Sequence, residues 1–457
     1  MEKNNELKKR DGFTSQLGIV LAAAGSAIGI GNVWRFSYVV GINGGGAFLL
    51  VYLICVVLVG LPLIMAELSL GRSTGKSAVT AFKQIAPKSF WWIAGGLGVL
   101  AAFLIMTYYP LIAGWSLGYM FESIFHWQPM IADTAAFFDG YVSGTVKPLI
   151  MLAIVLIMTA ISLFGGVARG IEKSNKVLMP MLIVIIIVLI IRALTLPGSF
   201  EGVKFLFLPD FSKVGVNTFL DALGHGFYSL SVGMAIMITY GSYVRKQDDL
   251  VSTAVNVCAI DTITALMAGL AIFPAVFALG LEPNSGPGLA FITLPKAFAT
   301  LPGGQIFAAL FFLLLTIAAL ASMMSLLQVL VAFFEDEFKV KRKGLMLTLL
   351  IILLFVCGIP SMLSFSALSE FTIMGLTYFD FVDQLSANVI VPITGLLTAV
   401  FVGFRYLKPS HEDIKLNCKR PNGFLVRSYP FLIKYFVPIS VAFILLNATG
   451  LFGNLFK

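Results

Sequence analysis

Gly25-Ser26-Ala27-Ile28-Gly29-Ile30-Gly31-Asn32-Val33-Trp34-Arg35-Phe36 lies in a hydrophobic stretch, residues 14–38, that is long enough to cross a bilayer. Closely spaced glycines weaken a helix, because glycine loses the most backbone freedom on being ordered. A bare amide and a guanidinium follow them. A simple anchor has no use for any of this. Non-helical backbone at membrane depth is tolerated only where it is buried in protein or lines a cavity, and intramembrane charge marks function by default. The segment reads as half of a binding site for something polar.

Composition sets the class. With 58% hydrophobic and 12% charged residues over 457 positions, a water-soluble surface cannot be built. Eleven apolar stretches are able to span: 14–38, 46–70, 90–122, 147–165, 175–196, 215–241, 250–280, 304–334, 345–362, 380–404 and 430–452. The first has a charged lead-in (Lys8, Lys9, Arg10, Asp11) but no small-residue cleavage site, and is too long for a signal peptide. The fold expected is an all-α polytopic membrane protein forming one transmembrane domain over 1–457.

Loop charges orient it. With a cytoplasmic N-terminus, the N-terminal tail and the loops near 71–89, 166–176, 244–249, 335–344 and 403–429 (running on to Lys434) share one face and hold 24 of the 31 Lys and Arg residues. The opposite face holds six (Lys147, Arg192, Lys204, Lys213, Lys296, Lys457), and Arg35 lies within the first span. By the positive-inside rule the N-terminus is cytoplasmic, and an odd number of spans puts the C-terminus outside the plasma (inner) membrane. The net charge of +8 is this bias, scattered over short loops with no contiguous stripe for nucleic acid. Cys55, Cys258 and Cys357 lie in spans and Cys418 in a loop of the basic face, so no disulfide framework is implied. Three histidines and no Cys/His cluster speak against a zinc or haem site.

The sixth span carries a second interruption, Gly224-His225-Gly226-Phe227-Tyr228-Ser229-Leu230-Ser231-Val232-Gly233. Two five-span halves, 14–196 and 215–404, thus each begin with a broken helix, and because five is odd the second half runs with inverted topology; 430–452 is an additional eleventh helix. Paired interruptions point to a transporter's midplane site. The alternative, small-residue surfaces for helix packing, leaves Asn32, Arg35 and the serines of the second break without a purpose. The outer loop 281–303, with Pro283-Asn284-Ser285-Gly286-Pro287-Gly288 and then an apolar run too short to span, reads as a re-entrant or capping hairpin.

From Arg10 to about Leu407 the chain resembles the neurotransmitter:sodium symporter family. The resemblance rests on Gly31–Phe36, Asn43-Gly44-Gly45-Gly46-Ala47-Phe48, Pro62 with Glu67 and Gly71-Arg72, Tyr108-Tyr109 with Trp115, Ser229-Leu230-Ser231, Ser242-Tyr243-Val244 and Phe333-Phe334-Glu335-Asp336-Glu337. It implies a leucine-transporter-like fold and two sodium ions bound beside the substrate. The first ion falls among Ala27, Asn32, Ser229 and Asp261, with the substrate carboxylate; the second among Gly25, Ile28, Ala318, Ala321 and Ser322. Two positions depart from the resembled pattern: Asp261 stands for an asparagine, adding fixed negative charge, and Ala321 for a hydroxyl residue, removing an oxygen. Chloride-dependent members supply compensating charge as a bound anion; with Asp261 in place, no chloride requirement is expected.

Monoamine carriers of the family have an aspartate where this chain has Gly29, so a ligand bearing its own carboxylate fits better. By resemblance, the carboxylate of an α-amino acid meets the Ile30 and Gly31 amides, the Tyr109 hydroxyl and the first sodium, and amides at a half-helix N-terminus suit an anion. The amine meets the Ala27, Tyr228 and Ser229 carbonyls and the Ser231 hydroxyl, while Ile105, Tyr228, Met234, Ser325 and Leu326 line the side-chain pocket. Methionine at 234, where a relative has phenylalanine, is adaptable and favours a large or aromatic side chain. The same resemblance pairs Arg35 with Asp383 as an outer gate and Arg10 with Asp336, near Tyr243, as an inner one. A pair worth only about 0–1 kcal/mol when exposed is easily broken during alternating access. The function expected is sodium-coupled import of a neutral hydrophobic, preferentially aromatic, L-amino acid. Two other readings are a non-transporting amino-acid sensor of the same fold, which lacks an added signalling domain here, and an intramembrane hydrolase. The latter has Ser229 and Ser231 near His225 but no orienting third group.

Overall fold

The computed structural model describes residues 12–280 and 288–448. Among them, nine continuous helices are long and apolar enough to cross a membrane, and one further pair, α1 (Gln16–Ala27) and the stretch Gly31–Ile42 ending in α2 (Phe36–Ile42), is bent by 58° at a short break. The continuous spans are α3 (Gly46–Thr74), α4 (Trp92–Phe125), α5 (Val146–Phe164) and α6 (Val167–Leu194), then α9 (Leu250–Ala278), α11 (Gly304–Glu337), α12 (Lys343–Leu363), α13 (Tyr378–Arg405) and α14 (Phe424–Leu446). The stretch expected as a sixth span is two pieces, α7 (Val216–Ser229) and α8 (Ile236–Gly241), each too short to cross alone. That split, together with the bend in the first stretch, is why eleven apolar stretches become nine continuous helices among the described residues. The short α10 (Leu289–Ala299) falls in the loop read as a hairpin; Pro283–Pro287 and the end of the stretch 430–452 lie outside the described residues.

Burial sorts the helices into an inner set and an outer ring. The most apolar windows of α3, α4 and α11 are 72% buried, against 33–39% for α5, α6, α12 and α14, whose exposed faces carry residues such as Ile161, Val184, Ile191 and Val356. A surface this apolar is stable only against lipid. Polar residues set the boundaries. Ser15 caps α1 by accepting the Gly18 amide at 3.0 Å, and Asp249 caps α9 by accepting the Ser252 amide at 3.0 Å. Gly75, at φ +62°, ends α3 in a left-handed turn that a side chain would strain.

The basic face is laced with charge. Arg72 is bonded to both oxygens of Asp413 at 3.2 Å and to the Asp248 carbonyl at 2.7 Å, and Lys83 pairs with Glu337. The hydrogen bonds that Arg245 donates to the Asp248 carboxylate hold its pKa above the ordinary value. At the opposite end, Phe291 of α10 packs among the Trp115, Tyr119, Phe138 and Phe312 rings, so the loop helix is wedged into the bundle.

Candidate functional site

Helix α1 stops because its next amides are taken by side chains. Ile28 makes the last helical bond, to the Ala24 carbonyl at 2.7 Å. Gly29 then donates to Asn32 Oδ1 at 3.1 Å and Ile30 to the Tyr109 hydroxyl at 3.1 Å. Turned away, these amides cannot reach back one turn. The carbonyls of Gly25, Ala27 and Ile28 consequently receive no backbone N–H among the described residues. The Ser26 carbonyl is satisfied from outside, by Ser231 Oγ and Ser322 Oγ, each at 3.0 Å. The second break, between α7 and α8, is held open by positive φ at Ser231 (54°), Gly233 (76°) and Ala235 (59°). A fully buried Glu67 accepts the Gly233 amide at 2.8 Å and pins that loop to α3. Left-handed backbone at non-glycine residues is costly and persists where the surroundings impose it.

Between the breaks sits Asp261, fully buried on α9. Asn32 Nδ2 donates to its Oδ1 at 2.6 Å, Ser229 Oγ approaches both oxygens at 2.9 Å, and the Tyr52 hydroxyl donates to Oδ2 at 3.2 Å. All of these donors are neutral. Among the described residues no cationic side chain pairs with Asp261. Burying a carboxylate without a counter-charge is expensive, and Asn32, Ser229 and Asp261 lie within hydrogen-bond distance of one another.

A cavity of about 370 Å³ adjoins the cluster. Its lining includes the expected Ala27, Gly31, Ile105, Tyr109, Tyr228, Ser229, Ser231, Met234 and Leu326, together with Asn32 and Ser322, but not the expected Ile30, whose amide is turned to Tyr109. Tyr109 OH accepts the Ile30 amide and retains its own proton to donate. Gly29 is needed here: a Cβ on it would lie 2.9 Å from the Tyr109 hydroxyl and 3.0 Å from Ser322 Oγ. Ser325 is not in the lining; its hydroxyl is 2.6 Å from Tyr240 OH and donates to the Ala321 carbonyl at 3.1 Å. Ala318 and Ala321 are fully buried on α11, and the Ala318 carbonyl lies 3.4 Å from Ser322 Oγ.

The described residues expected as gates lie apart from this cavity lining. Arg35 stacks over the Tyr228 ring at 5.1 Å, lines a second cavity of about 780 Å³ with Asp221 and Gln384, and makes no direct ion pair with Asp383 in this conformation. At the basic face Asp336 accepts the Ser77 amide at 2.6 Å and lies 3.6 Å from Lys76 Nζ. Tyr243 OH accepts from Gln328 at 2.8 Å. Arg10 lies outside the described residues.

A sequence model of the sodium:neurotransmitter symporter family matches residues 10–137 and 139–452. The chain belongs to that family. An uncharacterised sodium-dependent transporter of Bacillus subtilis (strain 168) is 36% identical over 441 residues, spanning 96% of this chain and 98% of its own. One from Haemophilus influenzae is 36% identical over 460 residues, spanning 98% and 99%. The crystal structure of MhsT in complex with L-phenylalanine superimposes with a TM-score of 0.87 at 42% identity, covering 96% of this chain and all of that one. The protein is therefore a sodium-dependent membrane transporter with this family's fold, and not an enzyme.

Sequence reasoning did not assign the transporter's Ser26 and Ile236, which line the cavity, or Tyr52, which bonds Asp261. Ser26 carried a signal, a hydroxyl between two of the break's glycines. Ile236 carried none, being one more aliphatic residue in an apolar run.

Proposed function

We propose that this transporter is a symporter that imports a neutral hydrophobic L-amino acid, aromatic ones preferentially, together with sodium and without chloride. The observation that carries the reading is the buried Asp261 carboxylate, ringed by neutral donors, beside carbonyls freed by the break in α1. Ala27, Asn32, Ser229 and Asp261 offer oxygens to the first sodium ion, and the fixed charge of Asp261 replaces the anion that a neutral site would borrow. Gly25, Ile28, Ala318 and Ser322 offer oxygens to the second, with Ala321 contributing only its backbone.

The substrate carboxylate meets the Gly31 amide, the Tyr109 hydroxyl and the first sodium; the Ile30 amide supports it by fixing Tyr109. The amine is left for the Ala27, Tyr228 and Ser229 carbonyls and Ser231. Ile105, Met234, Ile236 and Leu326 form an apolar subsite with Tyr228 as its aromatic wall. Bound L-phenylalanine in MhsT supports an aromatic preference. Arg35 and Asp383 close the extracytoplasmic side, and Arg10, Asp336 and Tyr243 the cytoplasmic side, taken as the basic face.

Purified protein in liposomes tests the reading. A sodium gradient should drive accumulation of labelled phenylalanine or tyrosine, competed by other hydrophobic amino acids. Uptake that persists when potassium replaces sodium would sink the proposal.

A further inference from the structure

Helix α6 presses two oxygen-bearing side chains against the backbone of α1, and glycine makes both approaches possible. A Cβ on Gly18 would overlap the Glu172 carboxylate, and one on Gly25 would overlap Asn175 Oδ1. Glu172 is fully engaged: it accepts the Thr14 amide at 2.8 Å, Thr14 Oγ1 at 2.5 Å, Ser15 Oγ at 3.3 Å and Lys176 Nζ at 2.7 Å. Asn175 is different. Its amide nitrogen donates to the Ile171 carbonyl at 3.0 Å, while Oδ1, in a side chain with no solvent exposure, has no hydrogen-bond partner. Most buried polar atoms are paired, and an orphan calls for a reason such as an ion or a water. This orphan rests against Gly25, whose carbonyl is among those the helix break frees. Met179 closes the seam on the side away from the basic face, since a Cβ at Gly25 would also meet its methyl at 3.5 Å. Toward the basic face the other α6 side chain pressed against α1 is Glu172, and Lys176 beside it is 43% exposed.

We propose that Asn175 Oδ1 is a way-station for the second sodium ion: the first oxygen the ion meets as it leaves the site for the basic face, with the Glu172 carboxylate next. The inference rests on the second sodium site assigned above. A way-station lowers a barrier without belonging to the bound state, so losing it slows entry and exit alike.

The test follows escape of radioactive sodium from preloaded, purified full-length transporter on dilution into sodium-free buffer, beside equilibrium sodium binding. Asn175→Leu keeps the volume and removes the oxygen; release should slow on the order of tenfold, as for one lost hydrogen bond to a charged group, with sodium affinity within about twofold of wild type. Asn175→Ser, which restores an oxygen, should recover most of the rate. Wild-type release from Asn175→Leu overturns the proposal, as does a loss of affinity without slower release. If the leucine variant does not fold, Asn175→Ala is read by the same criteria. Ser322→Ala separates the two layers. It should weaken sodium binding, and if it does not, the second-site assignment fails, whatever Asn175 does.

Discussion

A carboxylate with no solvent exposure and only neutral neighbours stores a large electrostatic debt, which a cation at the same place discharges. Asp261 is that residue. Asp261→Asn preserves size and one oxygen and removes the charge. At an effective dielectric constant of about 20, two unit charges 4 Å apart attract by about 4 kcal/mol. Even partly realised, that difference should raise the sodium concentration for half-maximal binding by about tenfold or more, measured by sodium titration of purified protein. Unchanged sodium affinity would mean the charge serves packing alone. The side-chain subsite should respond differently. Met234 is buried and lines the cavity. Met234→Phe introduces a stiffer ring, and overpacking typically costs about 1–3 kcal/mol. A large substrate bears that cost more than a small one, so affinity for tyrosine or tryptophan should fall relative to leucine or alanine in a competition panel, with sodium dependence hardly altered. Equal losses for all substrates would remove Met234 from the subsite.

At the level of elements, the interruptions are what the sequence made readable. Glycines and polar side chains inside apolar runs have no place in a plain span, so the break near Gly25–Gly31 and the one near Ser229–Gly233 could be located without coordinates. The partners that hold the breaks open could not be read from the residues themselves. Glu67 is 166 positions from Gly233, and Tyr52 is 209 from Asp261. Such contacts depend on how helices cross, which one-dimensional spacing does not encode. The orphaned oxygen of Asn175 was equally hidden: a polar residue near the start of a span is ordinary until its neighbour proves to be a glycine with no room for a side chain. The second break offers a sharp test. Gly233 has φ +76°, and a Cβ there would overlap the Val391 carbonyl. Gly233→Ala should destabilise the protein by about 1–3 kcal/mol through backbone strain alone, seen as a lower melting temperature in detergent, and substrate binding should weaken with it. Gly215, where a Cβ meets nothing within 4 Å, is the control. If alanine is tolerated equally at both positions, the left-handed turn is not what sets the break.

Over the whole molecule, charge decides which way the transporter faces. The loops of one face carry most of the Lys and Arg residues, and the same face gathers the Arg72–Asp413, Lys83–Glu337 and Arg245–Asp248 pairs. Cations are held back from translocation, so the positive-inside rule predicts that this face is the cytoplasmic one. The chain provides its own reporter. Of its four cysteines, all free, Cys55 and Cys258 are buried within spans, Cys357 lies in α12, and Cys418 sits half-buried in the long loop between α13 and α14 on the basic face. A membrane-impermeant maleimide applied to intact cells should leave Cys418 unlabelled, and permeabilising the cells should expose it. A Cys418→Ser variant carrying Val216→Cys, at an exposed position beginning α7 on the opposite face, should show the reverse, labelling before permeabilisation. Labelling of Cys418 in intact cells would invert the orientation. It would also exchange the inner and outer gates and reverse the direction of sodium release along the Gly25–Asn175 seam, while leaving the site chemistry around Asp261 untouched.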